Sequence, residues 1–235
     1  MGSERYALIL DDEHNSLGAV ALRLLRLGID TSYAKDRDEA FLWAQQEAER
    51  IRAILFPPSV DVGEVMTLAT QISARSQAEP PNPIVIGQRP AEPQIDGLRK
   101  GGVLWALWEP YDESSLRWVV NEAMAPSDAG STRQEPRVPT TFLGKTWYRT
   151  HRKDVVVSSL SIRGAYLETP NPFWEGIELT VEIPLPDGPL VTKATVRYQT
   201  EGRTSGMGVA FAPLDLEKEM RLQSYVEAHA GIFTL

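Results

Sequence analysis

A breaker-rich stretch, Ala125–Thr132 (Ala-Pro-Ser-Asp-Ala-Gly-Ser-Thr), separates two halves of different hydrophobic texture, and this break limits the available folds more than any other feature. Ahead of it, Tyr6–Leu10, Ile29–Tyr33, Ile51–Phe56, Ile84–Ile86 and Val103–Trp108 read as strands. Between them Leu17, Val20, Ala21, Leu24 and Leu25 recur at helical spacing, with Gly28 as a stop. Asp38–Arg50, Val62–Ser73 and Asp112–Met124 read as further helices, with a short one around Ile95–Lys100 inside a proline-rich surround. Alternating strand and helix predict an α/β unit, a doubly wound, parallel five-stranded sheet. Beyond the break come β-branched runs with turn residues between them: Thr140–Arg149, Asp154–Ser159, Ala165–Glu168, Glu178–Ile183, Leu190–Thr200 and Gly206–Phe211. They predict a six-stranded antiparallel β-barrel. A last helix follows, Leu216–Ala228, with Asp215 as its N-cap. The domains are read as residues 1–125 and 133–235, joined by a linker at 126–132.

Composition narrows the function classes. At 42% hydrophobic and 24% charged, the 235 residues have the make-up of an ordinary globular protein. The absence of cysteine excludes disulfides, thiolate metal sites and cysteine nucleophiles, and His14, His151 and His229 match no metal-ligand spacing. No apolar run is long enough for a membrane span, and Met-Gly-Ser-Glu-Arg-Tyr does not read as a secretory leader, so a cytoplasmic protein without membrane insertion is expected. Residues 1–130 hold 12 basic and 20 acidic residues, whereas 131–235 hold 12 of each. The acidic first half would repel a phosphate backbone, so no DNA binding is expected. No nucleophile–base pair or phosphate-binding loop is visible, and neither an enzyme nor a cofactor is expected.

The run Leu8-Ile9-Leu10-Asp11-Asp12-Glu13 opens a half that resembles the receiver domains of bacterial response regulators. That family implies a flavodoxin-like sheet with Asp11 and Asp12 helping to hold Mg²⁺, an acceptor aspartate ending the third strand, a Ser/Thr ending the fourth, and a lysine before a proline after the fifth. Here the acceptor position falls on Pro57, or on Phe56 if the register slips by one. The fourth strand ends at Gly87-Gln88, and Glu109 replaces the lysine before Pro110. The reading is a pseudo-receiver unable to accept a phosphoryl group, with Asp11 and Asp12 solvated loop-end carboxylates in preference to a residual Mg²⁺ site. Asp61 is the nearby alternative acceptor. Trp105, Trp108, Tyr111 and Trp118 lie on the fifth strand and last helix, the face such receivers use for association, which implies partner docking or a homodimer; against this stands the core packing usual for strand aromatics.

After the linker stands Arg133-Gln134-Glu135-Pro136-Arg137, an RxxxR pattern, followed by Ser159-Leu160-Ser161-Ile162-Arg163-Gly164. Together they resemble the PilZ domain, a small bacterial barrel that binds cyclic di-GMP. The resemblance implies a ligand site of Arg133, Arg137, Ser159, Ser161 and Gly164, with Arg163 as an accessory contact. Guanidinium forks suit guanine edges and phosphates alike. Ser159 stands where the family has Asp or Asn, a loss of one charge-assisted hydrogen bond. Pro136 and Pro139 keep the arm at 131–139 extended. The implied whole is a non-catalytic signalling adaptor that controls motility, surface behaviour or development. The alternative is a ligand-independent scaffold in which both domains are degenerate.

Overall fold

The computed structural model describes residues 6–12, 14–125, 137–200, 205–230 and 233–235. The chain forms two compact units, Met1–Ala129 with Ile232–Leu235, and Gly130–Gly231.

In the first unit β1 (Tyr6–Leu10), β2 (Asp30–Ala34), β3 (Ile51–Phe56), β4 (Asn82–Gly87) and β5 (Trp105–Trp108) form a parallel sheet in the order β2-β1-β3-β4-β5. This is the flavodoxin-like arrangement. Alternation along β1 divides the core: Ala7 and Ile9 join the cluster under α1 (Gly18–Arg26) and α5 (Glu113–Met124). Leu8 and Leu10 join the one under α2 (Arg37–Glu47), α3 (Val62–Ser76) and α4 (Glu92–Lys100). Because both faces are covered, the inner strands β1, β3 and β4 read as largely apolar runs, whereas the edge strand β2 does not. Asp36, Asp61 and Asp112 cap α2, α3 and α5 by accepting hydrogen bonds from the amides of Glu39, Glu64 and Ser115. Asp61, the alternative acceptor in the sequence reading, is therefore a helix cap. The fourth helix starts at Glu92, inside the stretch expected to be loop, because Pro93 sits in the first turn, where its missing N–H costs nothing.

The last residues add something the sequence reading did not contain. They were counted with the barrel, yet Thr234 bridges antiparallel to Trp105 on the sheet's β5 edge. The Ala106 amide donates to the Phe233 carbonyl at 3.0 Å and the Leu235 amide to the Leu104 carbonyl at 3.1 Å. Phe233 is buried in the α1–α5 cluster, 5.2 Å from the Trp118 ring. An edge strand that would offer unpaired backbone groups is thus partly paired.

The second unit is a closed barrel in the order β10-β11-β8-β7-β6-β9, built from β6 (Arg137–Tyr148), β7 (His151–Ser161), β8 (Gly164–Glu168), β9 (Glu178–Leu185), β10 (Gly188–Thr200) and β11 (Gly206–Phe211). Val138, Val157, Leu160, Leu167, Val181, Val196, Met207 and Val209 fill it, and Leu222 and Val226 of α6 (Leu216–Ala230) belong to the same core. Asp215 caps α6 by accepting from the Lys218 amide at 2.9 Å. The first barrel strand begins at Arg137, earlier than expected. Pro139 is tolerated inside it because the ladder with β7 slips between Pro139 and Phe142, as at a bulge. No helix among the described residues is long and apolar enough to cross a membrane.

Candidate functional site

Two places bear the residues singled out from the sequence. The first is the acidic corner after β1. Asp11 is buried, and its carboxylate accepts from the Asp12 amide (2.8 Å), the Leu17 amide (2.8 Å) and the Tyr33 hydroxyl (2.6 Å). Asp12 accepts from the His14 amide (3.0 Å), the Ser16 hydroxyl (2.8 Å) and the Ser59 hydroxyl (2.6 Å). Burial works to raise the Asp12 pKa, but the bonds from Ser59 and Ser16 together outweigh it and hold the group at about 2. Burial, reinforced by the bond to Asp11, pushes the Tyr33 phenol above its usual range. Both carboxylates are tied into a hydrogen-bonded corner, with Asp11 buried and Asp12 partly open to solvent. Among the described residues no group of three metal-capable side chains exists. Of the hydroxyl donors to the carboxylates, Ser16 is local, whereas Tyr33 and Ser59 are distant in sequence, and nothing in their spacing marks them.

At the ends of the other strands Pro57 is buried directly after β3, and exposed Gln88 and Glu109 follow β4 and β5. None can accept a phosphoryl group in the manner of an aspartate beside a lysine. The aromatic side chains of this unit are largely spent on packing. Trp105 lies edge-on to Trp118 at 5.9 Å, and Tyr111 receives the Arg23 guanidinium over its ring at 4.9 Å. Among the described residues of this unit, the large apolar side chains left exposed are Leu22, Leu25, Leu42 and Leu104.

The second place is the outer face of the barrel. Leu160 points into the core, so Ser159 and Ser161 on either side of it point outward. Arg137 on β6 is the register partner of Ser161, and Pro139 that of Ser159. Sequence positions some twenty apart are therefore directly opposed on one face. Ser161 donates its hydroxyl to the Gly164 carbonyl at 3.1 Å, closing the tight β7–β8 turn that carries Arg163. A side chain at Gly164 would place its Cβ 2.3 Å from the Val209 carbonyl oxygen, so only glycine lets β11 approach. Ser159 and Ser161 are 8% and 7% exposed, and Arg137 is half-buried. Arg133 lies outside the described residues. The linker 126–132 lies outside them too.

With the six-stranded barrel, its terminal helix and this opposed arginine–serine pair in view, comparison with known proteins identifies the barrel unit. The PilZ domain model matches residues 131–228. Residues 131–228 are a PilZ domain. No curated relative matches the chain. Among solved structures, the Bacillus subtilis inhibitor of motility (MotI/DgrA) is similar at 17% identity and a TM-score of 0.38, covering 45% of this chain and 55% of that one. The PilZ domain of Escherichia coli YcgR, solved with c-di-GMP, gives 16% identity and 0.37, covering 42% and 92%. Borreliella burgdorferi PlzA, also in complex with c-di-GMP, gives 14% and 0.34, covering 50% of each chain. The chain spans about half the length of the Bacillus protein. Within the PilZ domain the turn Ser161–Gly164 and the strand pairing of Arg137 are the features that a motif read from sequence leaves unexplained, and the structure supplies the reason for both.

Proposed function

We propose that the chain is a non-catalytic bacterial signalling adaptor whose PilZ domain binds cyclic di-GMP and whose first unit is a receiver-like module used for docking a protein partner. The observation that carries this reading is the pairing of Arg137 with Ser161 on the outer barrel face, beside the turn closed by Gly164. A guanidinium held on a strand next to hydroxyl groups suits a ligand with both phosphates and guanine edges. Arg133, Ser159 and Arg163 complete the proposed site. The first unit has a hydrogen-bonded acidic corner and no carboxylate at the end of β3, so its use is a surface rather than phosphoryl transfer. Exposed Leu22 and Leu25 on α1 make that helix the better docking candidate than the aromatics of β5 and α5. Control of motility is the process this reading favours, and the cytoplasm its place.

Calorimetric titration with cyclic di-GMP tests the reading. The unmodified chain binds, and Arg137→Ala removes about 2–3 kcal/mol of binding through lost charge-assisted hydrogen bonds, with little change in melting temperature. Full affinity in the variant would remove Arg137 from the site. A second reading, a ligand-independent scaffold, is favoured by one observation, the replacement of the motif's Asp or Asn by Ser159. Silence of the unmodified chain at millimolar ligand selects it.

A further inference from the structure

A row of register partners crosses the outer face of the barrel: Ser159 on β7, Tyr166 on β8, Gly208 on β11 and Tyr198 on β10. The interior neighbours Leu167, Met207, Val209 and Val196 belong to the core, which puts this row outside. Neither glycine of Gly206-Met207-Gly208 is incidental. A Cβ at Gly208 would lie 2.2 Å from Tyr198 Cε1, and one at Gly206 2.7 Å from Tyr166 Oη. The missing side chains let both rings lie down across β11, with centroids 6.4 Å apart and planes 25° from parallel. The Tyr166 hydroxyl is hydrogen-bonded to that of Thr200, which fixes the ring, and Tyr198 is 42% exposed.

Rings that cover strand glycines protect backbone from water, and any broad apolar side chain does that. Two near-parallel phenols on an outer wall do more: they offer π faces to a flat ligand. Tyr166 stands about 5 Å from Ser159, one strand spacing away. We propose that Tyr166 and Tyr198 form the stacking platform for a purine base, with the phosphates lying toward Arg137 and Ser161. The inference rests on the reading of the barrel as a cyclic dinucleotide receptor and adds to it where a base sits. The electron-rich ring faces disfavour a phosphate and favour the flat face of a base. Glu168, register partner of Gly206, stands on the side of Tyr166 away from Arg137, and its carboxylate repels phosphate from that end.

The test is calorimetric titration of the full chain with cyclic di-GMP. Tyr198→Ala weakens binding about tenfold, whereas Tyr198→Phe, which keeps the π face, retains it. Tyr198→Leu still covers Gly208 but has no ring; it melts like the parent and binds like the alanine variant, and it decides the question if the alanine variant fails to fold. Parent-like affinity in Tyr198→Leu overturns the platform and leaves the tyrosines as covers. If Arg137→Ala abolishes binding while every Tyr198 variant binds as the parent does, the platform alone falls. If the unmodified chain binds no cyclic di-GMP, the receptor reading falls and the platform with it.

Discussion

The acidic corner after β1 and the outer face of the barrel both gather polar side chains at strand ends, but they use them differently. In the corner every polar group points inward to another protein group: three donors on Asp11, and on Asp12 two hydroxyls with the His14 amide. On the barrel Ser161 donates to the Gly164 carbonyl, and Arg137, its register partner, is held in place by its strand. The contrast teaches two ways of spending polar groups. With Pro57 directly after β3 no carboxylate stands at that strand end, and hydroxyl donors tie the carboxylates after β1 into structure. Exchanging one motif residue for Ser159 leaves the turn, the glycine contact and the arginine pairing in place.

The largest effect should come where the first unit has converted its surface into packing. Phe233→Ala removes a ring that is 6% exposed and in contact with Trp118, and about 3 kcal/mol of that unit's stability should go with it in denaturant unfolding. The loss is bounded by the docking energy of the last three residues, since these can detach without unfolding the sheet. A change under 0.5 kcal/mol, on the order of a surface substitution, would mean that the segment contributes nothing to the unit and that the β5 edge is open.

Much of this architecture was legible in the sequence, for a physical reason. Both halves bury their strands against covering elements, so periodicity and turn residues expose strand and helix positions well. Legibility failed where the deciding contact is tertiary. Ile232-Phe233-Thr234-Leu235 is too short for a periodic signal, and its partner Trp105 is far away in sequence. Pro139 argues locally against a strand, and only the slipped register with β7 accommodates it. The candidate ligand residues Arg137, Ser159, Ser161 and Gly164 were named from a motif, but their opposition across β6 and β7 was not. Tyr166 and Tyr198 were missed entirely, although Gly206-Met207-Gly208 inside a strand was a signal that neighbouring rings lie over the backbone.

A gain of function sharpens the comparison from the barrel side. Ser159 lies diagonally across from Arg137, a separation of about 7–8 Å that long side chains bridge. Ser159→Asp supplies a carboxylate that can orient the guanidinium and accept from a guanine edge, and cyclic di-GMP binding should tighten about tenfold, worth about 1.4 kcal/mol. Unchanged affinity in titration would place the weakness of the site elsewhere, and a lowered melting temperature would show that desolvating the new carboxylate outweighs its pairing.

The smallest effect belongs to the corner, and its sign follows from linkage. Asp12 is held at about 2 in the folded chain against an ordinary value of 3.8. A group whose folded pKa is depressed stabilises the fold above its unfolded pKa, and this contribution disappears as the pH falls through the folded value. The stabilisation from Asp12 should therefore be complete above about pH 5 and be lost progressively between pH 4 and pH 2. Because the side chain is partly open to solvent, about 1 kcal/mol is the expected size. Asp12→Asn keeps the shape without the titrating charge. Denaturant unfolding of parent and variant should differ by that amount at pH 6 and converge toward pH 2. Curves that stay parallel across this range would mean that the Ser16 and Ser59 hydroxyls are spectators, and that the corner is set by Asp11 and Tyr33 alone.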